Sequence, residues 1–388
     1  MGKIIEEDHK KYHEDGVIAG IVTNGALPYC TKDEKNFLEA LKATNECEYG
    51  QNDLFVNYNG KDNVFVEHYS LVKNKDDNKS KRGRVVFMQH GLDGAFKGED
   101  PKDASDQYME FQKMVEGLKG KTAKNGFEFE SLGIITKRKK SINNLKETNT
   151  FITDKEDKNS TYLFFNDYRD KERAEEIGGM SALIYEKTEN KNILIRTEFS
   201  TGQTSFENQR NEMAKIVSMV GKIDDEIDVT FIGHSMGGIV SINYGIDYAK
   251  LNPNKDIDII TISTPYDKNF GAEMNQTTPA RKDLASESTR KALIEKWNKK
   301  TENIELCAIG VAKAGLEDSF RAIFIGDAVV NLRSQLGYNF NNISSRYIVV
   351  YEAKESLGLD IADLKHKAHH SNTPDMEEVI EIIKDNIK

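Results

Sequence analysis

The chain has 388 residues, of which 38% are hydrophobic and 30% charged, and its formal net charge is −10. That is enough apolar material for one large domain or two ordinary ones, and the acidic balance argues against nucleic acid or an anionic membrane as a partner held by bulk electrostatics. No stretch reaches the roughly 18 apolar residues of a membrane-spanning helix, and the opening MGKIIEEDHKKYHEDG lacks the apolar core of a secretory signal.

In chain order, Phe65–Val72 is rich in aromatic and β-branched residues and reads as a strand. Lys73 to Arg84 is a polar run and reads as a solvated turn. Val85–Gln89 is a short continuous apolar run, the pattern of a strand buried on both faces. Lys137 to Ser160 is polar and reads as a loop or loosely packed insertion, and Tyr162–Phe165 is a second buried-strand run. Ala174 to Glu186 is expected to be one helix, Asn192–Arg196 a strand, and Phe206 to Val220 a helix with Met213, Ile216, Val217 and Val220 on one face. A strand at Val229–Ile232 is followed by a helix from Gly238 to Ala249, then by strands at Ile257–Ser263, Ile304–Ile309 and Tyr347–Tyr351. The final helix is expected over Pro374–Ile387, with Thr373 as N-cap and Pro374 at the first helical position.

Short apolar strands separated by helices predict an α/β fold, a mostly parallel sheet with helices on both faces. In such sheets ligands bind at the carboxyl ends of the strands, so the turns after the strands are where chemistry is expected.

One turn stands out. Gly233 to Gly237 reads GHSMG, a G-x-S-x-G sequence between a strand and a helix. A serine on so sharp a bend needs strained backbone angles and neighbours without side chains, which Gly233, Gly237 and the extra Gly238 supply. Ser235 then stands at a helix N-terminus, where free amides favour developing negative charge. A nucleophilic serine also requires oxyanion donors and a base. The turn after Val85–Gln89, QHGLDGAF, is glycine-rich. The amides of Leu92 and Met236 are the expected oxyanion donors, and His90 is read as holding the turn rather than as the base.

The strand-HG turn, IGHSMGG, and TISTPY after the next strand together resemble an α/β-hydrolase of the lipase/esterase kind. Within it, the chain is similar to bacterial hydrolases of unassigned substrate that carry GHSMGG, a late GD-x-VV segment and a late His-Ser pair. The resemblance covers the core from about residue 85 onward. It implies an N-terminal extension over 1–60 and a hydrolase domain over 61–388, with insertions at about 97–160 and 267–303. It also implies the order serine, acid, histidine. Asp327 in FIGDAVVNL takes the place of the acid, although Ala328 stands where the pattern usually has glycine; Asp327 could instead cap a helix near Val329, with Asp360 and Asp363 as fallback acids. The His-Ser pair selects His370 as base, before His369 and His366. An imidazole titrates near neutral pH and can take the serine proton and return it.

These expectations describe a serine hydrolase cleaving a carboxylic ester, with no cofactor and no metal. The three crowded histidines carry no carboxylate or thiolate at a recognised ligand spacing. Cys30, Cys47 and Cys307 are odd in number and widely spaced, which fits reduced thiols and a cytoplasmic location. The polar stretch from Asn269 to Asn303 lacks the broad apolar face of a lid that opens onto lipid, so a soluble ester, thioester or short lipid ester is the expected partner. Tyr266 either lines the pocket or closes a strand end. A hydrolase-fold binding module without catalysis, and a phospholipase or thioesterase, are the rival readings.

Overall fold

A computed structural model of the chain describes residues 56–57, 59, 61, 64–68, 82–91, 111–136, 150–152, 162–199, 204–266, 277–314, 330, 332–337, 340–352 and 370–388. Its strands are β1 (Val56–Asn57), β2 (Val64–His68), β3 (Val85–Gln89), β4 (Glu128–Thr136), β5 (Thr150–Ile152), β6 (Tyr162–Phe165), β7 (Lys191–Glu198), β8 (Val229–His234), β9 (Ile257–Ile262), β10 (Ile304–Ala314) and β11 (Ser345–Glu352). Its helices are α1 (Gln112–Leu118), α2 (Tyr168–Ile177), α3 (Met180–Lys187), α4 (Phe206–Met219), α5 (Met236–Leu251), α6 (Pro279–Ala285), α7 (Glu287–Asn298), α8 (Leu332–Leu336) and α9 (Glu377–Asn386), with a 3₁₀ segment at His370–Asp375 before the last.

The strands form one sheet in the order β1-β2-β11-β10-β9-β8-β3-β7-β4-β6-β5. The strands from β11 to β4 are parallel, and antiparallel pairs close both edges. The α/β expectation holds, and β3 and β6 have the predicted bounds.

Strand alternation sorts the core into two layers. Val85, Phe87, Val229, Phe231, Ile257 and Ile259 face one side, where α2 to α5 and α7 pack. Val86, Met88, Ile232, Ile260 and Ile262 face the other, against Met114, Val115 and Leu118 of α1 and Val379, Ile380, Ile382 and Ile383 of α9. Burying a side chain of this size stabilises by about 1.5–3 kcal/mol, so β3, β8 and β9 are clamped from both sides.

Several local expectations give way to the structure. The helix predicted over 174–186 is two helices, broken at Gly178, which takes φ 100°. The polar run at 137–160 contains β5, which pairs with β6. Strand β4 has no counterpart in the sequence reading. Its run EFESLGIIT carries two carboxylates and a register shift between Ser131 and Gly133, so its alternation is broken. At Gly133 a Cβ would collide with the Phe164 carbonyl, which is how β4 and β6 come together there. The last helix begins at Glu377, with Met376 as its N-cap. Thr373 does not cap it; its hydroxyl donates to the His370 carbonyl at 2.9 Å inside the 3₁₀ segment.

Arg84 is another correction. It belongs to the run read as solvated, yet it is 2% exposed. Its guanidinium pairs with Asp258 at 2.9 Å and donates to the carbonyls of Asp256 (2.8 Å) and Lys388 (3.0 Å). It ties the start of β3 to the start of β9 and to the end of α9, at the opposite end of the sheet from the serine turn. Burial pushes the Asp258 carboxyl up to about 6, against the lowering effect of Arg84.

Candidate active site

Strand β8 ends at His234, paired with β3 on one side and β9 on the other. Ser235 follows with φ 54° and ψ −129°, and α5 starts at the next residue. Positive φ costs a non-glycine residue roughly 1–3 kcal/mol and persists only where the surroundings enforce it. Here they do. The Ser235 amide donates to the Ile262 carbonyl at 2.9 Å, and the Ser235 carbonyl accepts from the Gly238 amide at 3.0 Å. An N-cap serine usually turns its hydroxyl back onto the helix amides. Ser235 makes no such bond, so capping does not occupy its hydroxyl.

Close approach explains the glycines. A Cβ on Gly233 would stand 2.5 Å from the Gly237 carbonyl oxygen and from the Gly238 backbone. One on Gly237 would collide with the carbonyl oxygens of Gln89 and His90, and one on Gly238 with the Thr264 hydroxyl. The helix thus folds back on its own strand and wedges between the ends of β3 and β9. The first turn of α5 leaves the Met236 amide without an intrahelical acceptor, as any helix start does. The Met236 side chain is buried among Phe206, Ile239, Ala280 and Leu284.

The turn after β3 presses on the serine: a Cβ on Gly91 would stand 3.0 Å from the Ser235 Cβ. His90 holds that turn. Its Nε2 accepts from the Phe199 amide at 3.2 Å, which leaves the proton on Nδ1, and Nδ1–H donates to the Gly91 carbonyl at 2.7 Å. Both ring nitrogens are engaged, so His90 is a structural histidine.

His370 opens the 3₁₀ segment and is 9% exposed. Its ring lies 4.7 Å, centroid to centroid, from the ring of His234, the residue before the serine, at an interplanar angle of 41°. Among the expected site residues, Ser235, Met236 and His370 thus gather at the carboxyl end of β8. Leu92, Asp327, Asp360, Asp363, His366 and His369 lie outside the described residues.

Two residues escaped the sequence reading. His234 fills the variable position of the motif, where the pattern assigns no role, yet strand alternation puts it on the side of Ile232, where α9 packs. Ser263, the residue after β9, has φ 50° and is fully buried with its Oγ unpartnered among the described residues. The register pairs His234 with Ile262, so Ser235 and Ser263 follow side by side, and backbone strain collects at one spot of the sheet.

Tyr266 proves to be core rather than pocket lining. It is 3% exposed, its hydroxyl lies 2.5 Å from that of Thr261, its ring packs on Phe340, and burial raises the phenol. Of the polar stretch 269–303, residues 277–303 carry α6 and α7, and their larger apolar residues pack inward. Leu284 joins the Met236 cluster, Leu293 packs against it, and Trp297 is buried with its indole N–H donating to the Asn341 carbonyl at 2.7 Å. Asp283 of α6 accepts from the first amide of α4, at Phe206, at 2.8 Å. Among the described residues, no group of three or more histidine, cysteine or carboxylate side chains is placed to hold a metal ion, and no helix is long and apolar enough to cross a membrane. Cys307 is a free, buried thiol, which burial pushes up to about 12; Cys30 and Cys47 lie outside the described residues.

Comparison with solved structures finds similarity to the lin2722 product of Listeria innocua, at 13% identity over 78% of this chain and 92% of that one, with a TM-score of 0.39. A metagenomic carboxyl esterase, MGS0156, is similar at 8% identity over 78% of this chain and 75% of that one, with a TM-score of 0.34. Comparison with curated proteins gives no match. The model of a family described as "Alpha/beta hydrolase of unknown function (DUF915)" matches residues 183–388, more than half of the chain and the part that carries the serine turn and His370. A strand–serine–helix turn at the centre of a mostly parallel sheet agrees with that match, and the chain belongs to this α/β-hydrolase family.

Proposed function

We propose that the protein is a serine esterase that cleaves a soluble or short-chain carboxylic ester through an acyl-enzyme on Ser235. The observation that carries the reading is Ser235 itself: a non-glycine residue at φ 54°, wedged between strand and helix, with its hydroxyl unoccupied by capping. Strain of this kind is maintained where function needs it.

In this reading the Ser235 Oγ attacks the ester carbonyl while His370 takes its proton. The resulting oxyanion is met by the amide of Met236, assisted by that of Leu92. The tetrahedral species collapses, and His370 returns the proton to the departing alcohol. Water, deprotonated by the same imidazole, then attacks the acyl-serine, and the imidazolium returns that proton to the Ser235 Oγ as the acid leaves. Asp327 holds the histidine in the required tautomer and stabilises the imidazolium. The preference for a soluble ester is supported by α6 and α7, whose apolar residues are taken up by packing.

Hydrolysis of p-nitrophenyl esters of increasing chain length tests the reading. Wild type turns over the short esters, and Ser235→Ala and His370→Ala each lose about 10⁴-fold or more in kcat, while His369→Ala stays near wild type. Wild type inert across an ester and thioester panel would contradict the proposal, and loss in His369→Ala instead of His370→Ala would move the base by one residue.

A further inference from the structure

We propose that His234 is a positioning residue, a flat wedge that sets the His370 imidazole and the turn after β3 in fixed relation to Ser235. The inference rests on the reading of His370 as the base and extends it to a residue that does not touch the ester.

The placement follows from strand geometry. Side chains alternate along β8, and even-numbered Ile232 belongs to the layer on which α9 packs. His234 continues that row one step further, at the level where the 3₁₀ segment delivers His370. His234 is 3% exposed and lies against two elements. On one side lies the ring of His370, 4.7 Å away and tilted by 41°. On the other, its Nδ1 is 3.4 Å from the place a Cβ on Gly91 would take, at the turn that also presses on Ser235.

The backbone of His370 is held separately by the Thr373 hydroxyl on its carbonyl. The position of a histidine ring also depends on its two side-chain torsions. The His234 face packs against the His370 ring and bounds it on one side. Because its own backbone is continuous with Ser235, the wedge moves with the nucleophile. A single rigid ring therefore fixes serine, base and the β3 turn together, which is the preorganisation an acyl transfer needs.

The test compares His234→Ala, His234→Phe and His234→Gln by the rate of fluorophosphonate labelling and by kcat and KM on a short p-nitrophenyl ester, with thermal unfolding recorded for each. The inference predicts that His234→Ala and His234→Gln lose about 10- to 100-fold in labelling rate and kcat with KM nearly unchanged, and that His234→Phe, which restores a flat ring, recovers most of the loss. Should His234→Ala not fold, the contrast between the Phe and Gln variants carries the same test. His234→Ala reacting at the wild-type rate would overturn the inference, as would Phe and Gln variants that are equally impaired, or a rise in KM at constant kcat. An unreactive wild type is a different result: it removes the esterase reading, and the inference with it.

Discussion

Gly91 stands so close to Ser235 that a Cβ on it would lie 3.0 Å from the serine Cβ. The turn after β3 and the serine turn are thus in direct contact, and any side chain between them must displace one or the other. Gly91→Ala is expected to cost about 1–3 kcal/mol of stability and to lower the rate of ester hydrolysis by more than that loss alone explains, since the displaced atoms are those of the nucleophile. Denaturant unfolding and initial rates on one sample check both halves.

The contact between Gly238 and Thr264 permits a coupled test. A Cβ at 238 would meet the Thr264 hydroxyl. Gly238→Ala is expected to destabilise by about 1–3 kcal/mol, and Thr264→Ala in the same chain to recover part of it, giving a coupling of at least about 0.5 kcal/mol in a double-mutant cycle. Strict additivity would show that the helix does not rest on that threonine.

The ion pair at the far end of the sheet makes a pH-dependent prediction. Arg84 is 3% and Asp258 13% exposed at the side chain, and removing one partner of a buried pair typically costs about 3–5 kcal/mol. The Asp258 carboxyl is raised to about 6 in the fold, so between roughly pH 4 and pH 6 the folded state holds a proton that the unfolded chain has released, and this group makes stability fall as pH rises through that window. Arg84→Met removes the influence that lowers the carboxyl. Its deficit against wild type should be largest near neutral pH and shrink below about pH 6, where Asp258 is protonated in both proteins. Paired unfolding curves at the two pH values measure it.

Asp283 links α6 to the start of α4 by accepting the Phe206 amide. Asp283→Ala should lower stability by about 1 kcal/mol, the usual worth of a capping carboxylate at a helix N-terminus. Hydrogen exchange should rise first in α4 and α6, and unchanged protection there would show that the link does not hold them together.

Much of the frame is legible because burial on both faces writes itself as plain apolar runs: β3 and β6 have the predicted ends, and β8 and β9 differ by only one or two residues. The serine turn is legible because only glycine fits at 233, 237 and 238. What escapes is set by tertiary contact. Strand β4 carries a bulge and two carboxylates, so neither period shows. Arg84 looks solvated beside its lysine-rich neighbours, yet its partner Asp258 lies 174 positions on, which no local pattern reveals. Thr373 and Pro374 look like a helix start, but the backbone makes a 3₁₀ turn that delivers His370 before the helix begins. His234 hides in the variable slot of its motif, and its value appears only once strand parity is combined with the position of His370.

The most direct test of the central claim is peptide mapping by mass spectrometry after exposure of the folded protein to a fluorophosphonate. The account predicts a single adduct on the peptide containing Ser235, absent from Ser235→Ala and from protein unfolded before exposure. An adduct on another residue, or none on folded wild type, would contradict it.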